Sequence, residues 1–579
     1  MTKLLRLSTA LGLIFALMSP SVALAELIID PDGVGATGVN GGPIRNGVFT
    51  RPGPVLDFAQ RDLRIGEGNI TASGGAILIP ATAGSVVLNA SAGTNSIVGF
   101  SNIERIYLGS SQSGKLVIDG QGTAGGAFVN VFDMGTAIEA GRVDIGFGFS
   151  SSLEVVAGGL LSIDGRNGGT LAIYDNTESN LRVDGVGSRI DIAGSLSIGS
   201  NGNVIKAQRS IVVSNGGVLN AFDNSAEFEG FGEPNYVGLL FGDLGIGNNA
   251  QVSVTGAGSV LAFGSGRLAL GSSSSTVVAD GGELRQNARD PSLDYSSVNT
   301  APRSAIWLSS DMGLGNAAAL TVSGAGSRAA VRDNIQIGDD FGDYRVNPVT
   351  GNFERFYSAG QGKAVVENSG LLKTDSTIYV SGNRNVGSTG NLTVRTGGTV
   401  QADKIVINTG GVLNGNGGTV IGDVELQGGT VAPGASPGTM TVNGDFDFFS
   451  GIIDFEIGGA NPGEFDVLNV LGNFKAYEGS IFRFTLLAGY TPTATSAFNF
   501  LNIGGTSNFD LVKPTFQFAG FGDTPLNVFA SNGRFSLAAT DPNGGGGPSP
   551  VPLPASVLLL AAALFGLTWL KKGKGMVTA

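Results

Sequence analysis

Short Val/Ile/Leu runs broken by glycine corners recur along this chain, and that recurrence restricts its folds more than any other feature. One corner reads Val183-Asp184-Gly185-Val186-Gly187-Ser188, and returns as Val254-Thr255-Gly256-Ala257-Gly258-Ser259 and Val322-Ser323-Gly324-Ala325-Gly326-Ser327. A looser copy is Ile118-Asp119-Gly120-Gln121-Gly122-Thr123. A second element, Val-Val-x-x-Gly-Gly-x-Leu or a close variant, falls at residues 155–161, 212–219, 277–284, 365–372, 394–400 and 407–413, with Ser369 replacing the first glycine of the fourth copy. Each copy reads as a strand, a tight corner and another strand, because glycine reaches positive φ without steric cost.

No segment between the termini sustains a 3.6-residue apolar period, so the body is expected to be all-β. The inward face of a single short-stranded coil is too small to bury itself. Stacked coils make a continuous core, which favours a parallel β-solenoid over residues 61–437, with roughly 20–25 residues per coil. Antiparallel sandwiches built from hairpins are the alternative.

Composition narrows the chemistry. The 579 residues include 95 glycines but no cysteine and no histidine. Disulfides, thiol catalysis, thiolate metal sites, histidine general bases and histidine-ligated zinc are excluded. Net charge is −13, and the body without its two basic ends carries −18. Such an anionic surface repels nucleic acid, so no nucleic-acid partner is expected.

The repeats resemble the passenger repeats of autotransporter-type surface proteins. The match is densest from Gly410-Gly411-Val412-Leu413-Asn414-Gly415-Asn416-Gly417, through Val420-Ile421-Gly422-Asp423-Val424, to Gly429-Thr430-Val431-Ala432-Pro433-Gly434-Ala435-Ser436-Pro437-Gly438. Leu468-Asn469-Val470 and residues 486–492 continue it. The resemblance implies a right-handed parallel β-helix. No C-terminal barrel follows, so it speaks for architecture and not for self-secretion.

The ends address the chain to the outside. Lys3 and Arg6, an apolar core over residues 11–18 and Ala23-Leu24-Ala25 before Glu26 compose a cleavable signal peptide at residues 1–25. A Gly/Pro linker at 541–550 leads to Val551-Pro552-Leu553-Pro554-Ala555, an apolar run over 556–570 and the basic stop cluster Lys571, Lys572 and Lys574. This stretch is long enough for one transmembrane helix with its lysines inside. Motif, span and basic cluster, in that order over residues 551–579, resemble the VPLPA variant of the PEP-CTERM sorting signals of Gram-negative bacteria. The resemblance implies an exosortase-like processing protease as partner and delivery to the cell surface or extracellular matrix. Contact with the membrane would then be transient, through the tail.

Two further regions flank the repeats. Residues 26–60, rich in Gly and Pro, are expected to form an N-terminal cap. Residues 438–540 crowd Phe446, Phe448, Phe449, Phe455, Phe465, Phe474, Phe482, Phe484, Phe498 and Phe500 among longer strands. They read as a β-sandwich-like domain covering the open end of the solenoid.

Three insertions, at 222–236, 287–303 and 341–357, interrupt the repeats at about the same phase and mix acids with aromatics. Tyr236, Tyr295, Tyr344, Phe356 and Tyr357 are their candidate glycan-facing residues, able to stack on an extracellular polysaccharide. Packing of these rings on the solenoid wall is the favoured reading, since burial alone explains such composition. Asp339, Asp340 and Asp343, with Arg345 near, form the densest acidic cluster. Paired carboxylates can run glycoside chemistry without histidine. Here no second set stands at a recognisable spacing, and no catalytic residue is assigned.

Calcium is the one metal the donor types suit, but the GGxGxDxxx array is missing and no metal or cofactor is predicted. The reading is a non-enzymatic adhesive or matrix-forming surface protein. A polysaccharide-active enzyme (lyase or glycosidase) or a glycan-binding module on a β-helix is the alternative.

Overall fold

The computed structural model describes strands from Glu26 to Ala538 and much of the chain between residues 114 and 540. Residues 1–25, 223–243, 288–303, 309–317 and 541–579, shorter stretches between strands, and the side chains of 26–105, 244–246, 304–308 and 340–358 lie outside the described residues. The signal peptide, linker, VPLPA motif, apolar span and lysine cluster therefore fall outside the description. Among the described residues every regular element is a strand, and no helix is long and apolar enough to cross a membrane.

Each turn of the chain lays down three strands. Ser151–Val156, Leu160–Asp164 and Gly169–Ile173 make one coil, and Ser179–Asp184 returns beside the first of them in parallel register. The fold is a three-sided parallel β-solenoid. The expectation of parallel coils holds, and hairpin sandwiches are ruled out by the pairing.

The core follows from that register. Because strand side chains alternate with period two, in-register coils place like residues above one another. Ile118, Val155, Val183, Val213, Val254, Val278 and Val322 form one inward column, each fully buried. Leu161, Ile190, Leu219, Leu261 and Leu284 form the matching column on the second side. Coil length varies with the connections. Register partners lie 21 residues apart at Leu392 and Leu413 but 44 apart at Thr276 and Leu320.

The two glycine elements turn out to be one. Both form the corner between the first and second strands, and they alternate over three pairs of coils: Ala157-Gly158-Gly159 then Gly185-Val186-Gly187-Ser188, Asn215-Gly216-Gly217 then Gly256-Ala257-Gly258-Ser259, Asp280-Gly281-Gly282 then Gly324-Ala325-Gly326-Ser327. At Asn215-Gly216 the backbone takes φ of 52° and 85°. Gly217 is needed for another reason: a Cβ there would come within 3.0 Å of the Val183 carbonyl oxygen on the coil before. The four-residue corner is closed by its serine. Ser188 and Ser259, both buried, accept from Gly158 and Gly216 N–H at 2.9 and 3.0 Å and donate to the carbonyls of Asp184 and Thr255.

The chain forms two compact units, one containing Met1–Gln336 and the other Ser376–Ala579, with the intervening residues divided between them. In the first, Glu26–Leu27, Gly47–Phe49 and Val55–Asp57 already pair in parallel with the next strands, so 26–60 carries coil strands.

In the second unit the sandwich expected over 438–540 is corrected. Thr439–Asn443, Phe446–Ile457, Val467–Val470, Phe474–Ala476, Ser480–Leu486 and Thr515–Ala519 all pair in parallel as further coils. Among the described strands of this unit, Asn527–Ser531 and Arg534–Ala538 run antiparallel, turning at Asn532-Gly533 and adding to Ala497–Ile503. The phenylalanines misled because their alternation is the same in either fold. Here they stack between coils: Phe455 on Phe484 and Phe484 on Phe518 at 5.5 Å, and Phe446 on Phe474 at 5.2 Å.

Candidate interaction surface

Outward side chains inherit the same stacking. In the first unit Asn180, Ser210, Gln251 and Ser275 occupy one outward column, and Asp184, Ser214, Thr255 and Ala279 another. Ser210 donates to Asn180 Oδ1 at 2.6 Å. Asp184 accepts from Ser214 at 2.6 Å and Asn215 at 2.8 Å, and pairs with Arg182 at 2.7 Å. Burial pushes the Asp184 carboxyl up, but those hydrogen bonds and the Arg182 charge outweigh it and hold it below its ordinary value.

In the second unit a face carries Asp423, Glu425, Asp445 and Asp447 between Lys404 and Lys475. Lys404 is paired with Glu425, and Lys475 stands 3.9 Å from Asp447. Asp423, Asp445 and Asn473 each accept a backbone N–H from the following coil, given by Asp445, Asn473 and Thr506 at 2.8–3.0 Å. These hydrogen bonds from Asn473 hold Asp445 below its ordinary value, whereas burial raises Asp447. The acids thus serve as coil-to-coil clamps. Among the described residues no group of three or more acids is arranged to hold a metal ion.

The insertions do not share one phase. The first two leave after Val218–Phe222 and Glu283–Gln286, between the second and third sides; the third leaves after Asn334–Ile337, one corner later. The stems of the first two are tied. Asn287 donates to Asn220 Oδ1 at 2.7 Å across an intervening coil, Asn220 donates to Asp191, and Arg332 donates to the Asn287 carbonyl.

Tyr236 and Tyr295 lie outside the described residues. Tyr344 is on Asp340–Val346, and Phe356 and Tyr357 are on Phe353–Ala359; these strands form a two-stranded sheet separate from the solenoid sheet. Asp340, Asp343 and Arg345 share the first of those strands, and Asp339 precedes it outside the description.

One aromatic feature was not anticipated. Phe449 and Tyr477 stack at 4.6 Å with planes 18° apart, and Phe449 remains 36% exposed. The offset that pairs Phe446 with Phe474 also brings these two together, so the repeat distance was the available signal.

No family model matches the chain, and no curated protein matches it. Among solved structures, a TibC-hyperglycosylated TibA fragment covering its residues 55–350 is similar, at 13% identity and a TM-score of 0.31, over 80% of this chain and 98% of that one. The fold assignment rests on the strand pairing, not on this likeness.

Proposed function

We propose that the chain is an exported, non-enzymatic display protein of the cell surface or extracellular matrix, cleaved after Ala25 and sorted by its VPLPA tail through an exosortase-like protease. The observation that supports this best is the register. Stacked coils align outward positions in columns, as in the Asn180, Ser210, Gln251 and Ser275 series, so weak polar contacts can follow one another along a side. Repeated weak contacts add through effective concentration, and adhesion or matrix building needs that more than a deep pocket. The anionic body keeps such a repetitive β surface soluble once outside.

A second reading, glycan binding, is favoured by the hairpin. Tyr344, Phe356 and Tyr357 belong to strands that pair with each other and not with the solenoid sheet. A two-stranded sheet is marginal by itself in water, so a bound glycan would add to its stability.

The test is fractionation of cells carrying the full chain or a form lacking residues 551–574. Surface retention by the full chain and its loss on truncation is expected; a truncated form that stays on the surface overturns the sorting assignment.

A further inference from the structure

One side of the second unit carries no charge. Its second side is built from residues 399–401 and 418–421 and the strands Thr439–Asn443, Val467–Val470 and Ala497–Ile503, and none of these segments contains a charged residue. Register stacks Thr399, Thr419, Thr441, Asn469 and Asn502 in one outward column, with Gln401, Ile421 and Asn443 beside it. Four coil steps of about 4.8 Å make this column about 19 Å long. Arg534, the register partner of Asn502, is the first charge beyond it. On the same coils the third side holds Asp423, Glu425, Asp445 and Asp447, and the first side holds Asp454 and Glu456.

The polar groups of the third side serve as clamps between coils, but those of the second side are mostly unused by the fold. Asn502 donates to Asn469 Oδ1 at 2.8 Å. Among the described residues the side chains of Gln401, Thr419, Thr441 and Asn443 make no hydrogen bond. Asn443 is exposed, and Leu471, 56% exposed, adds an apolar spot just after Val467–Val470. Packing does not depend on these outward groups, because the inward Val420, Val442 and Val470 of the same strands are buried in the core.

We propose that the uncharged second side of this unit binds a neutral polysaccharide laid along the Thr419, Thr441, Asn469 and Asn502 column. Charge selects the partner. The body is strongly anionic, so a polyanion is repelled and a polycation is drawn to the acidic third side instead. A second copy carries the same negative charge, and a strip about 19 Å long falls well short of the roughly 800 Å² per partner of a stable interface. A neutral polyhydroxyl chain brings no charge to be desolvated. Its hydroxyls both donate and accept, as the threonine hydroxyls and the asparagine amides do. Ile421 and Leu471 meet the C–H faces of the sugar rings, and weak contacts on successive sugars add along the column. The class of partner is the one in the glycan reading above, but the surface is different and uses none of Tyr344, Phe356 and Tyr357.

Native affinity electrophoresis of the full chain tests this, in gels containing dextran, hydroxyethylcellulose or galactomannan, with alginate as the anionic control. Retardation by at least one neutral polymer and none by alginate is expected. The double variant Thr441→Ala/Asn469→Ala, which alters outward side chains alone, should weaken retardation by about tenfold. Asn443→Ala should weaken it in the same direction, and Gln427→Ala, on the third side, should leave it unchanged. No retardation by any neutral polymer, retardation by alginate alone, or full retardation of the double variant overturns the proposal. Retardation lost in Tyr344→Ala but kept in the double variant leaves glycan binding to the hairpin and ends the assignment to the second side. Self-association in sedimentation that the double variant abolishes, without retardation by any polymer, makes the strip an interface between copies and overturns it as well.

Discussion

The Gly216 amide donates to the Ser259 hydroxyl at 3.0 Å, across 43 residues of sequence and one coil of the solenoid. The same hydroxyl donates to the Thr255 carbonyl at 2.7 Å, so a single buried serine closes its own corner and fastens the one before. Ser188 and Gly158 repeat the arrangement, as do Ser327 and Gly281. Ser259→Ala leaves the Gly216 N–H without its acceptor, at a cost of about 1–3 kcal/mol. Coils contact only their neighbours, so the loss should appear locally. Exchange of the Gly216 amide should speed by more than tenfold, with little change at Gly158.

The second corner glycine is set by space. Gly217→Ala drives a methyl into the Val183 carbonyl and should cost about 1–3 kcal/mol, read as a lower denaturation midpoint. Gly463 is the control, with φ of 88° and open space where a Cβ would go. Gly463→Ala should cost about 1–2 kcal/mol from backbone strain alone.

Thr276 occupies an inward column between Val252 and Leu320, and its buried hydroxyl has no hydrogen-bond partner among the described residues. Thr276→Val keeps the shape and removes that unmet group. It should stabilise the protein by about 1 kcal/mol, measurable as a higher urea midpoint.

Phe484 stacks between Phe455 and Phe518 and meets Phe500 edge-on at 4.9 Å. Phe484→Ala should cost about 3–5 kcal/mol in thermal unfolding. Phe449→Ala, at a ring that remains 36% exposed, should cost far less in the same measurement.

Asp184 links the fold to acid pH. Its folded-state value is lowered, so its contribution is present above the ordinary 3.8 and is lost as pH falls through the folded value. Ser214→Ala removes one donor and should move the acid-unfolding midpoint of the chain upward; an unchanged midpoint would show that Ser214 does not hold Asp184 down.

The solenoid was legible in the sequence because its corners carry a backbone demand that glycine alone meets cheaply, as at Gly216 and Gly217. That the two corner motifs are alternating forms of one turn was not legible. Ser259 serves Gly216 through a contact 43 residues away, which no local pattern displays. The sandwich reading failed for a related reason: Phe482, Phe484 and Leu486 alternate as in a sandwich strand, and only the in-register partners Ile453, Phe455 and Ile457 distinguish stacked coils from facing sheets. The hydrogen bonds that Asp466 accepts from Gly438 and Glu456 N–H were likewise invisible in sequence, because the turn of one coil brings those partners to it.

Export and sorting can be read from the intact mass of the protein recovered from the surface of its native host. A chain that begins at Glu26 and lacks the basic end carrying Lys571, Lys572 and Lys574 is expected. A surface form retaining Met1 or the lysine cluster, or a protein found only in the cytoplasm, would contradict it.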